Sequence, residues 1–148
     1  MRRTFLLPML VALILTGLLL PAGTAMAQGT PSFDVAGTDA KQVTSFLKCL
    51  QASVAIDNRL KVASLLDYPL KAWIDGEAVT IRNESELQAR YSQIFDAPMK
   101  ASIAAAKVDT LSTSQQGVMF DNGRVWFRPV AERKNALKIV ALNEPGSK

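Results

Sequence analysis

Two short turns constrain this chain more than any other feature. Asp75-Gly76 separates Leu70-Lys71-Ala72-Trp73-Ile74 from Ala78-Val79-Thr80-Ile81-Arg82, and Asp121-Asn122-Gly123 separates Val118-Met119-Phe120 from Arg124-Val125-Trp126-Phe127-Arg128. Asp-Gly and Asn-Gly pairs accept the positive φ that tight hairpin turns need, so each predicts two adjacent antiparallel strands. Side chains alternate across a strand. Leu70, Ala72 and Ile74 therefore share one face, and Lys71 and Trp73 the other. Trp126 falls with Arg124 and Arg128, opposite Val125 and Phe127. Each tryptophan sits among long cations on the more polar face, a pairing that favours stacking of a cation on the indole and a surface open to a partner.

The first part of the chain reads as helical. Thr38 is placed as an N-cap, and Val43, Phe46, Leu47, Leu50 and Val54 form one apolar stripe at helical spacing. At about 100° per residue, Cys49 lies on the flank of that stripe, either as an inert, partly covered thiol or as the donor of a disulfide to another chain. Asp57 is expected to cap a second, short helix carrying Leu60, Ala63, Leu65 and Leu66, ended by Tyr68-Pro69. Asn83-Glu84-Ser85-Glu86 resembles a capping box before a helix that presents Leu87, Tyr91, Ile94 and Phe95. Asp96-Ala97-Pro98 restarts a helix with Met99, Ile103 and Ala106 inward. Strands are expected over Val108–Thr113 and Ala136–Leu142, with Gly117 opening another at a bulge. Helices followed by a run of strands give an α+β layer: a curved antiparallel sheet with about three helices on one face.

The chain starts Met1-Arg2-Arg3, followed by an apolar run from Phe5 to Leu20 and then Ala25-Met26-Ala27. A positive start, a run shorter than the roughly 20 residues of a comfortable span, and small residues before a cut predict a cleavable signal over residues 1–27, with an uncleaved anchor as the competing reading. Residues 28–37 read as a flexible leader and 38–148 as one domain, exported to the periplasm or beyond. The +4 net charge of 17 basic and 13 acidic residues falls to +2 without Arg2 and Arg3. The remaining cations are scattered, so nucleic acid is not an expected partner. A single cysteine excludes an internal disulfide, and the absence of histidine removes the commonest zinc sites and triads. No phosphate loop, nucleophile elbow or metal-spaced cluster stands in the sequence, so no cofactor and no metal are expected.

The order of helices, hairpin, helix and terminal meander is similar to the nuclear-transport-factor-2-like fold. Tyr68-Pro69-Leu70, Tyr91-Ser92-Gln93-Ile94-Phe95, Gln116-Gly117-Val118-Met119 and Gly123-Arg124-Val125-Trp126-Phe127 resemble motifs of small exported proteobacterial proteins with that fold. The resemblance covers roughly Val43 to Leu142. It implies a sheet curled into a cone around an apolar pocket, which in relatives binds small apolar ligands or holds an acid that moves protons, as in ketosteroid isomerase and polyketide cyclases.

On that basis Tyr68, Trp73, Tyr91, Met119 and Trp126 are candidate pocket residues, with Lys71, Arg82, Arg124 and Arg128 as polar partners; ordinary core or rim packing is the competing role for the aromatics. The expected function is a non-catalytic binding or interaction module, for a small apolar ligand or an envelope protein, with a homodimer among the possible partners and no stable membrane anchor. Two alternatives stand beside it. One is a cofactor-free isomerase or hydrolase using Asp67 and Tyr91 near the pocket. The other is an inhibitor or immunity-like protein.

Overall fold

The computed structural model describes residues 31–144. The signal expected over residues 1–27, and the start of the leader, lie outside the described residues. The rest of that leader is not loose. It makes a 3₁₀ turn at Asp34–Ala36 and contributes Phe33, 2% exposed, to the core. An aromatic side chain this well buried outweighs the Gly, Pro and Ser around it.

Helix α1 runs Ala40–Ala55, and its predicted stripe is buried throughout. Its cap is Asp39, which accepts from the Gln42 N–H at 2.8 Å. Thr38 is instead buried and donates its hydroxyl to Gln42 Oε1. Cys49 is half-buried on the flank of α1, against the core. Helix α2 (Arg59–Ser64) is capped by Asn58, not Asp57. Asp57 takes φ +52°, a left-handed geometry that turns the chain between the helices.

Strand β1 (Leu66–Ile74) begins earlier than expected and runs through Tyr68-Pro69, joined by a cis peptide bond. Helix α2 therefore ends before the proline, where the Leu65 carbonyl accepts from Ile139 N–H at 2.8 Å. Pro69 lies where the β1–β6 register slips, between Leu66 and Lys71, so its missing N–H leaves no regular ladder position empty. Asp75 and Gly76 take φ +50° and +86° and turn the chain into β2 (Glu77–Ile81).

The third helix is broken in two, α3 (Glu84–Ala89) and α4 (Tyr91–Ile94), because Arg90 leaves helical geometry at φ −108°, ψ 8°. Its predicted face is nonetheless kept, with Leu87, Tyr91, Ile94 and Phe95 all buried. Asp96 caps α5 (Ala97–Ala105). The expected strand from Val108 is a 3₁₀ turn at Val108–Thr110, where Thr110 donates its hydroxyl to the Lys107 carbonyl. Such a local side-chain bond competes with strand geometry. Strands β3 (Ser112–Ser114), β4 (Gly117–Phe120), β5 (Val125–Val130) and β6 (Ala136–Leu142) follow.

The six strands lie in the order β2-β1-β6-β5-β4-β3. The sheet is mixed rather than antiparallel. β1 and β6, second and third in that order, are parallel neighbours, and every other pair is antiparallel. It is not closed, and β2 and β3 are its two edges. Phe46 of α1 stacks on Phe127 of β5 at 4.8 Å, which fixes the covered face as the one bearing Val125 and Phe127. No helix among the described residues is long and apolar enough to cross a membrane.

Candidate functional site

Strand register gives the composition of the opposite face. Thr80 pairs with Lys71, Lys71 with Ala141, Ala141 with Trp126, Trp126 with Met119, and Met119 with Ser112. Residues in register share a face, so this row crosses the whole sheet. Trp73, opposite Ala78, lies beside it, and Arg128 pairs with Lys138. Trp73, Met119 and Trp126 are half-buried, yet none belongs to the apolar core or packs against it. Lys71 and Arg128 are exposed, while the Lys138 ammonium donates to the Ser64 carbonyl. This row holds aromatic and thioether surface and cations.

The same geometry separates the residues expected to line one pocket. Tyr68 packs against the core and donates its hydroxyl to Ala63 O at 2.9 Å. Tyr91 is 1% exposed and stacked on Phe95 at 4.9 Å. Both belong to the helix-covered side, whereas Trp73, Met119 and Trp126 face away. The sheet itself stands between the two groups, so the five aromatic and methionine candidates do not converge on one cavity. Arg124 also leaves the group. It is 7% exposed and reaches Asp96 at 3.5 Å and Asp121 at 3.7 Å, tying the β4–β5 turn to the start of α5. Arg82 pairs with Glu86.

The expected stacking of cations on tryptophan goes to another ring. Arg59 lies over Tyr91 at 5.0 Å and Lys100 at 5.9 Å. Lys100 also holds Asp57 at 2.7 Å, and that contact keeps the Asp57 carboxyl below its usual range. Burial, followed by the Asp57 charge, pushes the Tyr91 phenol up. Tyr91 thus stays protonated near neutral pH. Asp67 is half-buried and lines none of the four hollows described. The most apolar of these, about 360 Å³ between α1 and α5, is lined mainly by Val54, Ala55, Ala101 and Ala104, with Asp57 and Lys100 at its rim.

Sequence reasoning missed the Asp57, Arg59, Lys100 and Tyr91 cluster. It joins three separate helical segments and has no spacing signal. Among the described residues no group of His, Cys, Asp and Glu is placed to hold a metal ion. Comparison with protein families, with curated proteins and with solved structures returned no match.

Proposed function

We propose that this chain is an exported, non-catalytic interaction module. Its recognition surface is the uncovered sheet face bearing Lys71, Trp73, Met119, Trp126 and Arg128. The single observation that carries this reading is the row of half-buried tryptophan and methionine outside the core. Large apolar side chains in contact with solvent, rimmed by cations, match the composition of protein recognition surfaces. The partner that fits is an envelope protein with an apolar patch bordered by carboxylates. Export is supported by the apolar run that follows Arg2-Arg3 and by the small residues at Ala25-Met26-Ala27. A nuclear-transport-factor-2-like fold is supported by the element order, with β1 and β6 side by side in a sheet backed by helices. A small-ligand cone finds less support, since its candidate residues lie on two sides of the sheet.

The test is native mass spectrometry of protein purified at low salt from cells expressing the full chain. A bound protein is expected, lost in the pair Lys71→Glu, Trp126→Ala and retained in Lys48→Glu, an exposed change on α1. A complex that survives the first pair, or a chain that emerges alone, overturns the reading.

A further inference from the structure

The two edges of the sheet are treated differently. An edge strand presents unpaired N–H and C=O groups, which proteins protect by shortness, cover, proline, bulges or lysine. β3 is three residues long, and the Asp34–Ala36 turn lies against it. Thr113 of β3 also donates its hydroxyl to the Ser32 carbonyl at 3.4 Å. β2 is five residues long, Glu77-Ala78-Val79-Thr80-Ile81, with no proline, lysine or bulge. Beside it lies a hollow of about 450 Å³, lined by Ala78, Val79, Thr80, Arg82, Glu86 and Arg90.

The hairpin fixes which backbone groups are free. Ile74 and Glu77 close a two-residue turn, so they form a hydrogen-bonded pair. Alternation then directs Val79 and Ile81 toward β1, and sends the N–H and C=O of Ala78 and Thr80 outward. Both residues are exposed.

We infer that β2 pairs antiparallel with β2 of a second copy of this chain, joining the two sheets edge to edge. Only residues with outward groups can exchange bonds, so Ala78 of one copy meets Thr80 of the other and the two Val79 residues meet on the two-fold axis. Val79 is half-buried and points to the helix-covered side. Each Val79 thus enters the other copy's hollow between β2 and α3. Charge is compatible with this orientation. Glu77 of one copy falls opposite Ile81 of the other and next to its Arg82, which also holds Glu86 of its own chain, at both ends, whereas a parallel copy aligns like charges. The centre of the strand is uncharged and its outward side chains are small, so nothing there opposes close approach. The joined sheet leaves the row of Lys71, Met119 and Trp126 uncovered, so this inference stands apart from the proposed recognition surface.

The test is sedimentation equilibrium from about 5 µM to about 1 mM, because an interface this small belongs to the weak class. Protein purified from cells expressing the full chain is expected to double its average mass across that range. Amide exchange at Ala78 and Thr80 should slow about tenfold or more at the high end, while Val79 and Ile81, already bonded to β1, stay unchanged. Thr80→Pro removes an outward donor without touching the β1 ladder, and should raise the dissociation constant at least about tenfold. If that variant unfolds, exchange in the unmodified chain decides the matter. Trp126→Ala should leave the mass change intact. A monomer at about 1 mM, or a dimer whose Ala78 and Thr80 amides exchange freely, overturns the inference.

Discussion

Gly117 sits at φ +139° at the start of β4, where a Cβ would lie 2.7 Å from the Phe127 carbonyl oxygen and 3.1 Å from Arg128 Cβ. Gly117→Ala therefore meets two penalties. An L-residue held at this φ costs about 1–3 kcal/mol. The 2.7 Å approach is to backbone of the neighbouring strand, which moves only by shifting β5, an overpacking cost of about 1–3 kcal/mol. The expected loss is about 2–6 kcal/mol out of a typical 5–15, a fall in Tm of roughly 10–25 °C for a domain this size. Gly76→Ala isolates the first penalty. Its φ is +86° and nothing lies within 4 Å of the added atom, so about 1 kcal/mol is expected. The assay is urea unfolding followed by circular dichroism, with thermal melts on the same samples. The slope with urea should be unchanged, since both variants unfold the same surface. The consequence reaches the proposed surface, because β4 and β5 place Met119 opposite Trp126. A Gly117→Ala loss below about 1 kcal/mol, or no larger than that of Gly76→Ala, refutes the reasoning.

Other outcomes follow from the same geometry. Asn58→Ala should cost about 1 kcal/mol, because Asn58 accepts from Lys61 N–H at 3.0 Å at the start of α2; chemical denaturation reads this, and a neutral Asn58→Ala would return the cap to Asp57. Asp57→Gly should cost less than Asn58→Ala in the same assay, since glycine relieves φ +52° and the ion pair to Lys100 that it removes is exposed and weak. Burial raises the phenols of Tyr68 and Tyr91, so the unfolded chain loses these protons first. Stability is then fully present below about pH 10 and falls as pH rises toward the folded values. Tyr91→Phe should flatten that alkaline fall in Tm, and an identical pH profile for variant and parent contradicts the assignment.

Much of the fold was legible because its signals are local. The two turns place both hairpins, the stripe from Val43 to Val54 gives the buried face of α1, and Asp96 before Pro98 marks the start of α5. Parity within β1 and β5 correctly put Lys71 with Trp73 and Trp126 with Arg128, the basis of the candidate face. What could not be read was non-local. Nothing in the residues of β1 announces that its inner neighbour is β6, and this pairing makes the sheet mixed. Tyr91 carries a polar group but stacks on Phe95 in the core, so its residue type gives no warning of its side of the sheet. Asp57 and Asn58 both suit a cap, and the choice follows from which of them takes the left-handed turn.

The uncovered sheet face is the proposed place where this protein meets its partner. Hydroxyl-radical footprinting of intact cells expressing the full chain, against the purified protein at low concentration, tests this directly. Trp73, Met119 and Trp126 should lose reactivity together inside the cell, while Ile56 at the end of α1 and Leu60 in α2, both exposed, stay equally reactive. Equal labelling of the three in both samples, or protection confined to Ile56 and Leu60, would contradict it.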